Sequence, residues 1–247
     1  MEVVYGMNLD LLARRVPGLT MTGLALAGAA VTMLPGAVSA QTSTTIGVLD
    51  TEPVSINCSA IETDPAALGA ASIYVVDPAQ SEARYIAQEE LANVGANTAV
   101  GSTNTIQGAF LFDADGNPIP CSTIYVDVRT FVSDSSRRDN FLRGNTLQSD
   151  QYPVAEFVVT EIQDFTMPGD GEETTFTLVG NFTLHGVTQA MAWEATAARD
   201  GDTLTGSAKT EFDMADFDIE KPIVGSVLSI EDVIQLEIDL VATNSAA

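Results

Sequence analysis

The sequence predicts an all-β fold, an extended antiparallel sheet of about eight strands with one short helix between strands. Three observations carry this reading. Apolar and polar residues alternate with a period of two in successive runs from residue 71 onward. Short polar or Gly-rich tips separate most of the runs. The alternation stops for long only between Phe131 and Gln151. A period of two puts each apolar set on one side of a pleated strand. A sheet with one apolar face must close or pair to bury it. Closure into a barrel removes the exposed edges; a sandwich of two sheets fits the same alternation.

The elements follow in order. Residues 41–70 are rich in Thr, Ser and Ala with little periodicity and read as an extended arm. Asp64-Pro65-Ala66-Ala67-Leu68 offers one helical turn, since Pro is tolerated at a helix start. Strands are expected over Ser72–Val76, Arg84–Leu91, Asn104–Phe112 and Thr123–Phe131. Asp115-Gly116 supplies a hairpin turn signal. In the interruption, Asp134 can cap a short helix over Ser135–Arg143, with Gly144 ending it. Further apolar faces are Ala155/Phe157/Val159, Phe176/Leu178/Gly180/Phe182/Leu184, Met191/Trp193/Ala195/Ala197, Leu204/Gly206/Ala208/Phe212 and Ile234/Leu236/Ile238/Leu240/Ala242. The barrel domain is expected over 71–243, with a tail at 244–247.

The N-terminus reads as a secretory signal peptide over residues 1–40. Arg14 and Arg15 precede an apolar run from Leu19 to Leu34, and small residues up to Ala40 follow. A positive start, an apolar middle and a small-residue exit define such a segment. Cleavage is expected after Ala40. An uncleaved anchor is the rival, but the run is short for a span of about 20 residues. The mature chain is expected in the periplasm or at the cell exterior, with no stable membrane insertion.

Acid dominates the charge: 34 Asp and Glu stand against 10 Lys and Arg, a net −24. Such a surface repels nucleic acid and anionic lipid headgroups, which need positive partners. Cys58 and Cys121 are the two cysteines. In an oxidising compartment a bridge between them is expected, with two separate thiols as the alternative.

Few residues offer chemistry. His185 is the single histidine and ends an apolar strand at Gly186. A catalytic or metal histidine needs partners, so a structural role at the turn is the expectation. Asp113, Asp115 and Asn117 imitate the first half of a calcium loop. Gly116 falls at the wrong place, which favours a plain hairpin tip. Asp216, Asp218, Glu220, Glu231 and Asp232 read as solvated surface. No metal or cofactor is expected.

Arg129, Arg137, Arg138 and Arg143 gather within fifteen positions of an acidic chain. Local ion pairs with Asp127, Asp134, Asp139 and Asp150 compete with a guanidinium fork for a phosphate or carbonyl. Arg137, Arg138, Arg143 and His185 are therefore the head-group candidates. The channel candidates are Val126, Val128, Phe157, Val159, Phe176, Leu178, Phe182, Met191, Trp193, Leu204, Phe212, Leu236 and Ile238. These side chains either line a cavity or fill a solid core, because small barrels do both.

Several segments, in order, resemble one known family. Arg138-Asp139 resembles its Arg-Asp helix motif, and Asp150-Gln151-Tyr152-Pro153 with Phe157 resembles the strand start that follows. Gly180 to Thr188 resembles Gly-x-Leu-Thr-x-His-Gly-Val-Thr, with Phe182 in place of Leu. Asp216-Phe217 resembles a late Asp-Phe pair. The set is similar to the YceI-like family of exported, lipocalin-like lipid-binding barrels, across about residues 71–243. The resemblance implies an extended eight-stranded barrel whose long apolar channel holds a polyisoprenoid, such as a polyprenyl phosphate or a quinone tail. It also implies a non-enzymatic role. The first third departs from the pattern: Gln80 to Tyr85 replace an early His, and the arm and Cys58 are unusual. The expected function is an exported isoprenoid carrier, working alone, as a homodimer or with a lipid-transfer partner. The rivals are a filled structural or stress-related module and a hydrolase built on His185.

Overall fold

The structure is a computed structural model that describes residues 45–59, 64–223, 225 and 227–246. The expected signal peptide lies outside the described residues. The strands are β1 (Gly47–Val48), β2 (Ser72–Val76), β3 (Glu82–Leu91), β4 (Gly95–Thr103), β5 (Ile106–Phe112), β6 (Thr123–Asp127) and β7 (Val132–Ser133). After helix α1 (Ser136–Phe141) come β8 (Val154–Gln163), β9 (Glu173–Leu184), β10 (Val187–Asp200), β11 (Thr203–Asp213) and β12 (Val227–Ala246).

All the strand pairs are antiparallel and together form a closed 8-stranded barrel. Three of its staves are kinked: β2 continues into β3, β4 into β5, and β6 into β7. β12 pairs with both β2 and β3, and β11 links β12 to β10, so the ring closes. Polar side chains make the kinks. Asp77 Oδ1 accepts from Ala79 N at 2.9 Å, and Asp127 Oδ1 from Arg129 N at 3.0 Å. Thr103 Oγ1 accepts from Thr105 N at 3.0 Å and lies 2.6 Å from Thr130 Oγ1, which ties two kinks together. Such side chains offer the backbone an alternative to the ladder.

Four expectations need correction. Strand β4 was not anticipated, because Gly95-Ala96-Asn97-Thr98 and Gly101-Ser102-Thr103 lack large apolar residues. The run from Thr123 does not continue to Phe131; it ends at Asp127, whose carboxylate caps a 3-10 turn over Val128–Thr130. Ser135, not Asp134, caps α1, and Gly144 lies inside the wide turn Leu142–Thr146 instead of ending the helix. Asp134 is drawn away by an ion pair with Arg138. Finally, the expected tail is wall: Asn244 and Ser245 pair with Tyr74 and Ile73.

The arm straps the barrel. From Glu194 on, β10 pairs with β11; before it, that edge of β10 takes β1 instead, with Gly47 opposite Ala192 and Val48 opposite Met191. Leu49 N donates to Ala190 O at 2.8 Å. Farther on, Asn181 Oδ1 accepts from Val54 N at 2.9 Å and its Nδ2 donates to Val54 O at 2.7 Å. A disulfide joins Cys58 to Cys121, with Cα atoms 5.3 Å apart.

Candidate functional site

One end of the barrel is solid. Tyr74 meets Phe112 edge-on at 5.5 Å, Phe112 stacks on Phe165 at 5.8 Å, and Phe165 meets Phe176 at 5.0 Å. The other end holds a cavity of about 880 Å³. Its volume comes from small side chains on inward faces, namely Ala83, Ala87, Ala99 and Ala155. Large apolar residues complete the wall: Phe131, Leu184, Met214 and Ile219 join Val126, Val128, Phe182, Trp193, Phe212, Leu236 and Ile238. Helix α1, the turn after it, and Pro222, Ile223, Gly225 and Val227 frame the mouth. Ile223 is 95% exposed there. A shallower recess of about 440 Å³ under the strap is lined largely by Thr123, Thr183, Thr188, Tyr125 and Glu156, a wall much less apolar than the cavity's.

The channel candidates divide. Val126, Val128, Phe182, Trp193, Phe212, Leu236 and Ile238 line the cavity. Phe157, Val159, Leu178, Met191 and Leu204 do not; they are buried in the surrounding core, and Phe176 packs against that core. Phe157, for example, leans on Trp193 at 5.6 Å.

The head-group candidates divide as well. Arg137 and Arg138 line the cavity. Arg143 does not: its guanidinium donates to Phe131 O and to Asn140 Oδ1, both at 3.0 Å. His185 is a turn residue away from the cavity wall. With Gly186 it forms the two-residue link between β9 and β10, at φ +53° and +80°. A hairpin of this kind needs positive φ at both positions. Its Nδ1 lies 3.1 Å from Phe217 O. A carbonyl only accepts, so Nδ1 carries the proton. The ring meets Tyr152 edge-on at 4.9 Å, and a Cβ on Gly186 would stand 2.5 Å from the Tyr152 ring. Gln189 Nε2 donates to Asp216 O at 2.8 Å. The Tyr-Pro, His-Gly and Asp-Phe signatures therefore meet around one turn, where their role is architectural.

The polar part of the cavity wall centres on Arg138. Nη2 donates to Glu89 Oε1 at 2.8 Å. Nη1 donates to Ser133 Oγ at 3.2 Å and pairs with Asp134. Asp139 is buried behind this group and accepts from Ser133 N at 3.0 Å and Ser133 Oγ at 2.6 Å. Asn97 Nδ2 also donates to Glu89 Oε1, at 2.8 Å. Burial holds the neighbouring Tyr85 phenol above its ordinary range, so it stays protonated. Sequence reasoning missed Glu89. Ala83, Tyr85, Ala87, Glu89 and Leu91 do alternate, but an acid at an inward position hides the period.

Residues 74–242 match the YceI-like domain. The chain belongs to that family. Among its relatives, a UPF0312 protein of Vibrio parahaemolyticus is 29% identical over 178 residues, covering 69% of this chain and 89% of its own. A UPF0312 protein of Shewanella oneidensis is 30% identical over 163 residues, 63% of this chain and 81% of its own. The fold matches BcnA of Burkholderia cenocepacia with a TM-score of 0.54 at 21% identity, over 68% of this chain and 99% of that one. It also matches a polyisoprenoid binding domain from Saccharophagus degradans implicated in plant cell wall breakdown. That match has a TM-score of 0.56 at 15% identity, over 71% of this chain and 99% of the domain.

Proposed function

We propose that this YceI-like barrel is an exported, non-catalytic carrier that holds an isoprenoid lipid with its tail in the cavity. The observation that carries the reading is the cavity itself: about 880 Å³, largely apolar, and open at one end. Ligand sites commonly fall between about 300 and 1,000 Å³. Burying a prenyl tail contributes about 25 cal/mol per Å² of apolar surface, so affinity needs few polar contacts. The structural likeness to a polyisoprenoid binding domain supports the same class of cargo. The signal-like N-terminus and the Cys58–Cys121 bridge support export, since such bridges persist in oxidising compartments. His185, whose Nδ1 faces Phe217 O and whose ring packs on Tyr152, favours a carrier over a hydrolase.

Native mass spectrometry with lipid extraction, on protein purified from its own host, tests this. One prenyl lipid per chain is expected, and it should be lost when Ala99→Leu narrows the cavity. A chain that never carries a prenyl lipid overturns the reading and leaves the filled module in its place.

A further inference from the structure

We propose that the cavity selects a neutral head group that donates a hydrogen bond, a prenyl alcohol in preference to a prenyl phosphate, and that Glu89 makes the choice. This rests on the carrier reading above. Glu89 faces inward from β3, and its side chain is only 6% exposed. Both of its described hydrogen bonds end on Oε1, from Arg138 and Asn97. Among the described residues, no hydrogen bond reaches Oε2. A buried carboxylate on the cavity wall thus has an acceptor oxygen to offer.

The cation beside it is committed. The guanidinium of Arg138 is shared among Glu89, Asp134 and Ser133. Asp139 adds a second buried carboxylate behind it. Arg137 also borders the cavity, but it is exposed on α1. An anionic head group at Glu89 therefore meets a carboxylate, beside a guanidinium already shared between two carboxylates and a hydroxyl. In a poorly solvated site, like charges repel strongly, whereas a hydroxyl donating to a carboxylate forms one of the stronger hydrogen bonds. An ether or ester oxygen, which only accepts, gains nothing from Oε2.

Trp193 is the single tryptophan and lines the cavity, so its fluorescence reports binding. The full chain is titrated with geranylgeraniol, its methyl ether and its monophosphate. The alcohol is expected to bind about tenfold or more tightly than the phosphate, because the phosphate sets like charge against Glu89. It should also bind more tightly than the ether. Glu89→Gln should bring the alcohol-to-phosphate ratio close to one. Asn97→Ala, which removes only a donor to Oε1, should leave the ratio high. Should Glu89→Gln not fold, the three wild-type affinities still decide. Phosphate binding equal to or tighter than alcohol overturns the proposal, and its loss on Arg137→Gln would place the head group on that arginine instead. If none of the three probes binds, the carrier reading itself falls.

Discussion

The two ends of the barrel share their strands yet differ in how side chains fill them. At the solid end Tyr74, Phe112, Phe165 and Phe176 interlock. At the open end alanines face the lumen from β3, β4 and β8, and a cavity remains. The difference teaches that a single closed wall can separate stability from capacity. One end supplies a packed core, and the other leaves apolar surface for a ligand to cover.

Truncations should expose that asymmetry most directly. Phe112 is 4% exposed and touches two aromatic rings. Phe112→Ala should cost about 3–5 kcal/mol, the usual toll for deleting a packed aromatic. Leu236 borders existing empty space, so Leu236→Ala should cost only about 1–2 kcal/mol, the cavity term being mostly present already. Urea unfolding midpoints at constant slope measure both. Equal losses would mean that the open end is packed in solution and would count against the cavity.

The strap is where the comparison can be sharpened. It leaves the wall beside Ala190 and is fixed again at Cys121, where β6 is about to begin. The bridge spans 63 positions of sequence. Closing a loop of that size restricts the unfolded chain, and the bridge should contribute about 2–4 kcal/mol. Replacing both cysteines by serine should lower the unfolding midpoint accordingly. The same loss should appear on adding reductant to the native protein, and not in the double variant. Reductant sensitivity in the variant would point to a cause other than this bridge.

How much of this was legible in the sequence depends on which face of the wall carried the signal. Phe176 to Leu184 and Ile234 to Ala242 announce their strands because large apolar residues mark every second position. Strand β4 stayed hidden, since Ala99 and Gly101 face partners that supply the bulk; Tyr85 lies over Gly101. The cavity was invisible for the same reason. Its emptiness comes from the alignment of Ala83, Ala87, Ala99 and Ala155 on separate strands, which pairing register alone decides. The arginine cluster was visible, but its fate was not. Arg138 turns to Glu89, 49 positions away in sequence, and only the fold brings them together.

The smallest expected effect lies at the strap's midpoint. Asn181 on β9 bonds both the N–H and the C=O of Val54 through its side-chain amide. In this way one side chain imitates a strand partner for an arm residue that is otherwise exposed. Asn181→Ala removes both bonds from a solvent-facing site, where water takes over, so about 1 kcal/mol is the expected cost. The informative readout is local. Amide hydrogen exchange should quicken at Val54 and Leu49, because the described part of the arm then keeps β1, the Leu49–Ala190 bond and the disulfide but loses the anchor between them. Exchange at Leu111 and Phe112, in the solid end, should not change. If exchange at Leu111 and Phe112 quickens equally, the strap and the solid end unfold as one unit. The two ends would then differ in packing without differing in cooperativity.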